Sequence, residues 1–218
     1  MNTKKLLNNI IAILLIFVIL STLISVPTSL AVENFTVTIN GTKNYDKANE
    51  VLTLSNQERQ AVGASPLSLD KSLCDYAMLR AAEIAIYFSH TRPDGTSAIG
   101  PGHTSSGIFV NGENIAAGSP NAEGAMNQWM TSTDGHREAI LNSTFNSIGI
   151  GSYTTSSGQT WWVQVFSQQN ATEIATYTGT AQSTDTITVS PTTCPVTLSI
   201  TGLNTSNSID IGETISPT

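Results

Sequence analysis

The stretch Thr160-Trp161-Trp162-Val163-Gln164-Val165-Phe166 restricts the fold more than any other part of the chain. Extended, it places Trp161, Val163 and Val165 on one face and Trp162 and Phe166 on the other. A strand apolar on both faces needs cover on both sides, which excludes a sheet with one solvated face. The run Ser147–Tyr153 precedes it across a Ser156-Ser157-Gly158 loop, and the two read as a hairpin. Helical patterns supply the cover. One runs from Tyr45 to Val62 and stops at Gly63 and Pro66. A second starts on Asp70 as N-cap and reaches Phe88, with Leu73, Ala77, Ala81, Ile84 and Phe88 as an apolar stripe. A third has Ser119 as N-cap and Pro120 at its first position, and a short fourth begins near Asp134. The expected fold is α+β, a three-layer α-β-α sandwich around a mostly antiparallel sheet.

The ends of the chain read differently. Lys4 and Lys5 precede the unbroken apolar run Ile10–Leu20, and Ser29-Leu30-Ala31 is a small-x-Ala cleavage pattern, so 1–31 reads as a secretory signal peptide. Residues 32–43 form an alternating N-terminal arm, 44–170 the sandwich domain, and 171–218 a Thr/Ser-rich linker and tail. The tail's alternation at Val196, Leu198, Ile200, Ile209 and Ile211 resembles the opening of an immunoglobulin-like repeat. No other segment is long and apolar enough to span a bilayer, so the chain after cleavage is expected outside the cell, secreted or attached to the cell surface. Cys74 and Cys194, the two cysteines, could pair there or stay free.

Composition narrows the partners. Charged residues make up 11% of the 218, against about 25% in a typical domain. The net charge is −7 with nine Lys and Arg in all, so the basic face that nucleic-acid binding requires is missing. The deficit is filled by Ser and Thr, which leaves a polar surface with little charge.

Chemistry rests on few residues. The three histidines are His90 after the second helix, His103 in a glycine-rich loop that leads to a short strand at Ile108-Phe109-Val110, and His136 opening the fourth helix. Glu113 follows that strand in Gly112-Glu113-Asn114-Ile115. Taken singly, His90 reads as a packed imidazole, His103 as an exposed loop residue, Glu113 as a solvated acid and Asp134 as a cap.

Eight blocks in order change that reading. They are Asn56-x-x-Arg59, Pro66-Leu67, Ala81-x-Glu83, Phe88-Ser89-His90, Gly112-Glu113-Asn114-Ile115, Trp129-x-x-Ser132, Gly135-His136-Arg137 and Trp162-Val163-Gln164-Val165-Phe166. Together they resemble the CAP superfamily of cysteine-rich secretory, antigen-5 and pathogenesis-related-1 proteins, in its bacterial extracellular SCP-domain form, over about residues 47–168. The resemblance implies the same α-β-α sandwich and a central cleft of two His and two acids. His90, Glu113 and His136 match three of those positions, and Ser132 stands at the fourth.

Two imidazoles and a carboxylate can make a three-ligand zinc site with an open position, so His90, Glu113 and His136 are the candidate ligands for Zn²⁺. The function implied is an extracellular binding module with a groove for a lipid, peptide or cell-envelope ligand. Two alternatives stand beside it. One is a hydrolase using Ser132, His136 and Glu113, although no nucleophile elbow accompanies Ser132. The other is a structural envelope protein, in which Asn56 and Arg59 anchor the first helix.

Overall fold

The computed structural model describes residues 33–194. The expected leader and the alternating segment of the tail beyond 194 lie outside them. In chain order the elements are β1 (Phe35–Asn44), α1 (Tyr45–Ala61), β2 (Ser68–Leu69), α2 (Lys71–Ile86), β3 (Gly112–Ala117), α3 (Ala122–Met130), α4 (His136–Leu141), β4 (Ser147–Thr155), β5 (Thr160–Ser167) and β6 (Thr180–Val189). The sheet is open, in the order β3-β5-β4-β1-β6, and antiparallel along that path. The short β2 adds a parallel pairing to β4.

β5 carries the core, as its two apolar faces require. Trp162 and Phe166 pack with Ile148 and Ile150 of β4 against α1, α3 and α4, including Val51, Met126, Trp129 and Ile140. Val163 and Val165 face α2, where Leu73, Ala77, Ala81 and Ile84 lie. The result is the three-layer sandwich. Deleting a fully buried tryptophan such as Trp162 to Ala costs about 3–5 kcal/mol, so both layers depend on this strand.

The α2 layer sits close because β4 has glycine where the helix crosses. A Cβ on Gly149 would lie 2.1 Å from the Leu73 carbonyl, and one on Gly151 would lie 2.1 Å from the Ala77 oxygen. On the opposite layer, Asn56 exchanges two hydrogen bonds with the Leu67 backbone. The Arg59 guanidinium, fully buried, donates to the carbonyls of Ser65, Ile140, Asn142 and Phe145. Both residues anchor α1, as the sequence suggests.

Several boundaries differ from the sequence reading. The strand expected at Ile108–Val110 is a loop whose Val110 makes one isolated bridge to Gly100, and the true strand is Gly112–Ala117. Its polar residues hid it, since Glu113 and Asn114 are buried on partners brought by other elements. α3 begins one residue after Asn121, which caps it by accepting from Gly124 N–H. Ser119 is instead held by the sheet, its carbonyl accepting from Trp162 Nε1 at 2.8 Å. α2 stops at Ile86, so Phe88 leaves the apolar stripe and is 53% exposed.

The expected arm is β1, and residues 180–189 of the expected linker form β6. The two pair along their whole length, from Phe35↔Val189 to Asn44↔Thr180. Val37, Ile187 and Val189 bury against Ile86 and Cys194. Cys74 lies in the α1-side core, apart from Cys194, and both are free thiols. Burial pushes the Cys74 thiol up to about 12, which keeps it protonated and inert. Among the described residues no helix is long and apolar enough to cross a membrane.

Candidate functional site

A groove opens along β3, between the loop that follows α2 and the turn that leads into α4. One part, about 300 Å³, is lined by Asn111, Gly112, Glu113 and Asn114 together with His90 and His136. A second, about 520 Å³, is lined by Phe88, Ser89, Thr91 and Ile115 with the same two histidines. The two imidazoles thus arrive from opposite layers of the sandwich at one groove.

His90 is set by a buried charge chain. Its Nδ1–H donates to Glu113 Oε1 at 2.9 Å; the His90 side chain is 58% exposed and that of Glu113 is 1% exposed. Glu113 is held from below by Arg80, whose Nε donates to Oε2 at 2.8 Å and whose Nη2 donates to Oε1 at 3.2 Å. Arg80, with no exposed surface, also donates to Glu83 at 2.7 Å and to the Ser89 carbonyl at 2.9 Å. Arg92 closes the far side of Glu83 and lies within reach of Asp94. Burial alone would lower the Arg80 pKa, but its hydrogen bonds and charge pairing with Glu113 and Glu83 raise it. Arg80 is therefore a fixed cation, and its contact with Ser89 ties the His90 loop to α2.

His136 is set by polar groups without charge. Its Nδ1 is 2.8 Å from Ser132 Oγ, and that oxygen accepts from the Asp134 N–H at 3.1 Å. Its carbonyl accepts from Asn114 Nδ2 at 3.0 Å. Asn114 in turn pairs with Gln164, which donates to Ser55 of α1, so a buried amide relay positions the turn against the sheet. Burial first, and then the neighbouring His90, push the His136 pKa below its usual value. Both effects favour the neutral ring, the form that accepts hydrogen bonds and binds metals.

These contacts separate residues that the sequence reading joined. Glu113 serves His90, and Ser132 serves His136, so Ser132, His136 and Glu113 do not form one triad. Nor is the three-ligand zinc centre assembled. Both Glu113 oxygens are engaged by Arg80 and His90, and among the described residues no three His, Cys, Asp or Glu are grouped to hold a metal ion. What the groove offers instead is two Nε2 atoms, each backed by a partner on Nδ1, with Glu113 behind His90. His103 lies elsewhere, stacked on Tyr76 at 5.0 Å, and is partly buried rather than fully exposed.

Sequence reasoning missed Arg80, Arg92, Asn114 and Gln164 as site-building residues. One signal was present for Arg80. It falls three residues after Ala77 and four before Ile84, within the buried face of α2, where an unpaired cation is not tolerated.

Comparison with known proteins agrees with this architecture. Over 124 residues the chain is 37% identical to "Uncharacterized protein YkwD" of Bacillus subtilis, covering 55% of this chain and 46% of that one, so it spans about half the relative's length. An outer surface protein from Borrelia burgdorferi shares the fold at 19% identity and a TM-score of 0.50, over 57% of this chain and 93% of that one. An extracellular protein containing a SCP domain from Bacillus anthracis aligns with a TM-score of 0.49 and 26% identity, over 56% of this chain and 40% of that one. The profile of the cysteine-rich secretory protein family, CAP, matches residues 52–166, more than half of the chain and every element lining the groove. This chain belongs to the CAP family.

Proposed function

We propose that the protein is an exported binding module that takes its ligand in the groove between His90 and His136. The observation that carries this reading is the convergence of two imidazoles on one open groove, each held by Nδ1 and with no partner on Nε2 among the described residues. Export is supported by the cleavable leader pattern and by the uncharged Ser- and Thr-rich composition. The ligand is a lipid, a peptide or a cell-envelope component. A divalent cation such as Zn²⁺ would be held by His90 and His136, with Glu113 acting through His90, and would supply a positive anchor for a carbonyl or anionic group of the ligand.

Calorimetric titration of the full chain with zinc chloride tests the role of the imidazoles. The wild type takes up zinc, and His90→Ala/His136→Ala abolishes uptake. Glu113→Gln weakens it about 10–100-fold, as removal of a partner behind a ligand does. Undiminished uptake by the double variant, with its fold verified by circular dichroism, overturns the assignment.

A further inference from the structure

The floor of the groove is a sheet edge. Among the described residues β3 pairs only with β5, so its outer side has no strand beside it. Just past the ladder, Gly118 N–H donates to the Thr160 carbonyl at 2.9 Å, opposite in register. That contact sets the alternation. Residues 112, 114, 116 and 118 exchange their main-chain hydrogen bonds with β5, while Glu113, Ile115 and Ala117 turn N–H and C=O outward. At the other end Asn111 N–H also donates to Phe166, the residue opposite Gly112, which is a bulge of the kind that ends pairing.

Two of the outward groups are already covered. Trp129 Nε1 donates to the Ile115 carbonyl at 3.1 Å, and Gln128 Nε2 donates to the Ala117 carbonyl at 3.3 Å. Toward Asn111 no side chain of the described residues caps the edge, and there the groove opens. There Glu113 N–H, Glu113 C=O and Ile115 N–H follow one another along the edge with no partner among the described residues, and both imidazoles line the same groove.

We propose that the ligand of this groove is an extended peptide segment that docks by adding a short strand to the outer edge of β3. The proposal rests on the groove being the binding site and goes on to name what fills it. An alternating donor–acceptor–donor row at strand spacing matches another main chain. An acyl chain laid in the groove would strip water from those groups and return no hydrogen bond. His90 and His136 both line the groove, placed to exchange hydrogen bonds with polar groups of the added strand. Phe88, exposed and 6.0 Å from the Trp161 ring, gives one of its side chains an apolar shelf. The open edge covers about three residues, so recognition is short and depends mainly on the backbone.

Panning a phage-displayed library of random dodecapeptides against the full chain tests this. Selected peptides are then made synthetically and N-methylated one position at a time. Affinity is expected to fall tenfold or more when the methyl replaces an N–H facing β3 and to change less than threefold at the positions between. In proton–nitrogen correlation spectra the Glu113 and Ile115 amides shift and gain exchange protection on binding, while those of Asn114 and Ala116 hold. A flat methylation scan, or protection of a different segment, overturns strand addition. Zinc uptake through His90 and His136 without any selected peptide sinks the peptide proposal and leaves the site standing. Loss of both sinks both. Protection of the same amides by phosphatidylglycerol vesicles, and not by peptide, assigns the groove to lipid instead.

Discussion

At the scale of single residues, Arg80 decides whether the groove exists. Its guanidinium is the only group satisfying Glu113 from below among the described residues, and it shares Glu83 with Arg92. Both carboxylates are buried, and a buried charge that loses its partner costs about 3–5 kcal/mol. Arg80→Met should therefore lower stability by about that amount in urea unfolding. Arg80→Lys should recover only part of it, because an ammonium cannot span both carboxylates with a planar fork. A change below about 1 kcal/mol for Arg80→Met would mean that the charge chain is idle. The same residue shows why the site was only partly legible. His90, Glu113 and His136 are legible because they sit in ordered family blocks; they are too far apart in sequence for spacing to join them. The spacing of Arg80 with Ala77 and Ile84 puts it on the buried face of α2, but it does not name the partner. Only the fold reveals that Glu113 is claimed by Arg80 rather than left free as a ligand.

At the scale of elements, β5 is legible in the sequence and β3 is not. β5 announces itself because both faces are apolar. Gly112-Glu113-Asn114-Ile115 carries no such pattern, since its inward polar groups are satisfied by Arg80, Gln164 and the His136 carbonyl. Tertiary partners convert a loop-like sequence into a buried strand, and a local pattern cannot register them. Gly149 and Gly151, within the expected Ser147–Tyr153 strand, are the points at which α2 meets the sheet. Because the atoms met there belong to helix backbone, relief requires moving α2. Gly151→Ala should cost about 1–3 kcal/mol or more, measured by chemical unfolding. It should also displace the loop carrying Ser89 and His90, which shows as weaker zinc uptake. An unchanged midpoint would place the helix farther from β4 than it stands here.

At the scale of the whole molecule, the segments flanking the family-matched region close onto it. In sequence β1 reads as an alternating extended arm and β6 as part of a Thr-rich linker, and the ribbon they form is recognised only once the two are side by side. The route between β5 and β6 is fastened by Asp70. This buried carboxylate caps α2 through Leu73 N–H, accepts from Ser72, and accepts from the Thr172 N–H and hydroxyl. Burial would raise its pKa, but these hydrogen bonds outweigh burial and lower it. A carboxylate with a depressed folded-state pKa adds stability above its unfolded value of about 3.9 and loses it as pH falls through the folded value. Asp70→Asn keeps a capping oxygen but gives up the charged acceptor, a loss of about 1.5–3 kcal/mol at pH 7. Wild type and Asp70→Asn should therefore differ most in urea midpoint near neutrality and converge as the pH drops below about 4. A gap that persists unchanged at about pH 2.5 would show that the fastening does not depend on the charge of Asp70.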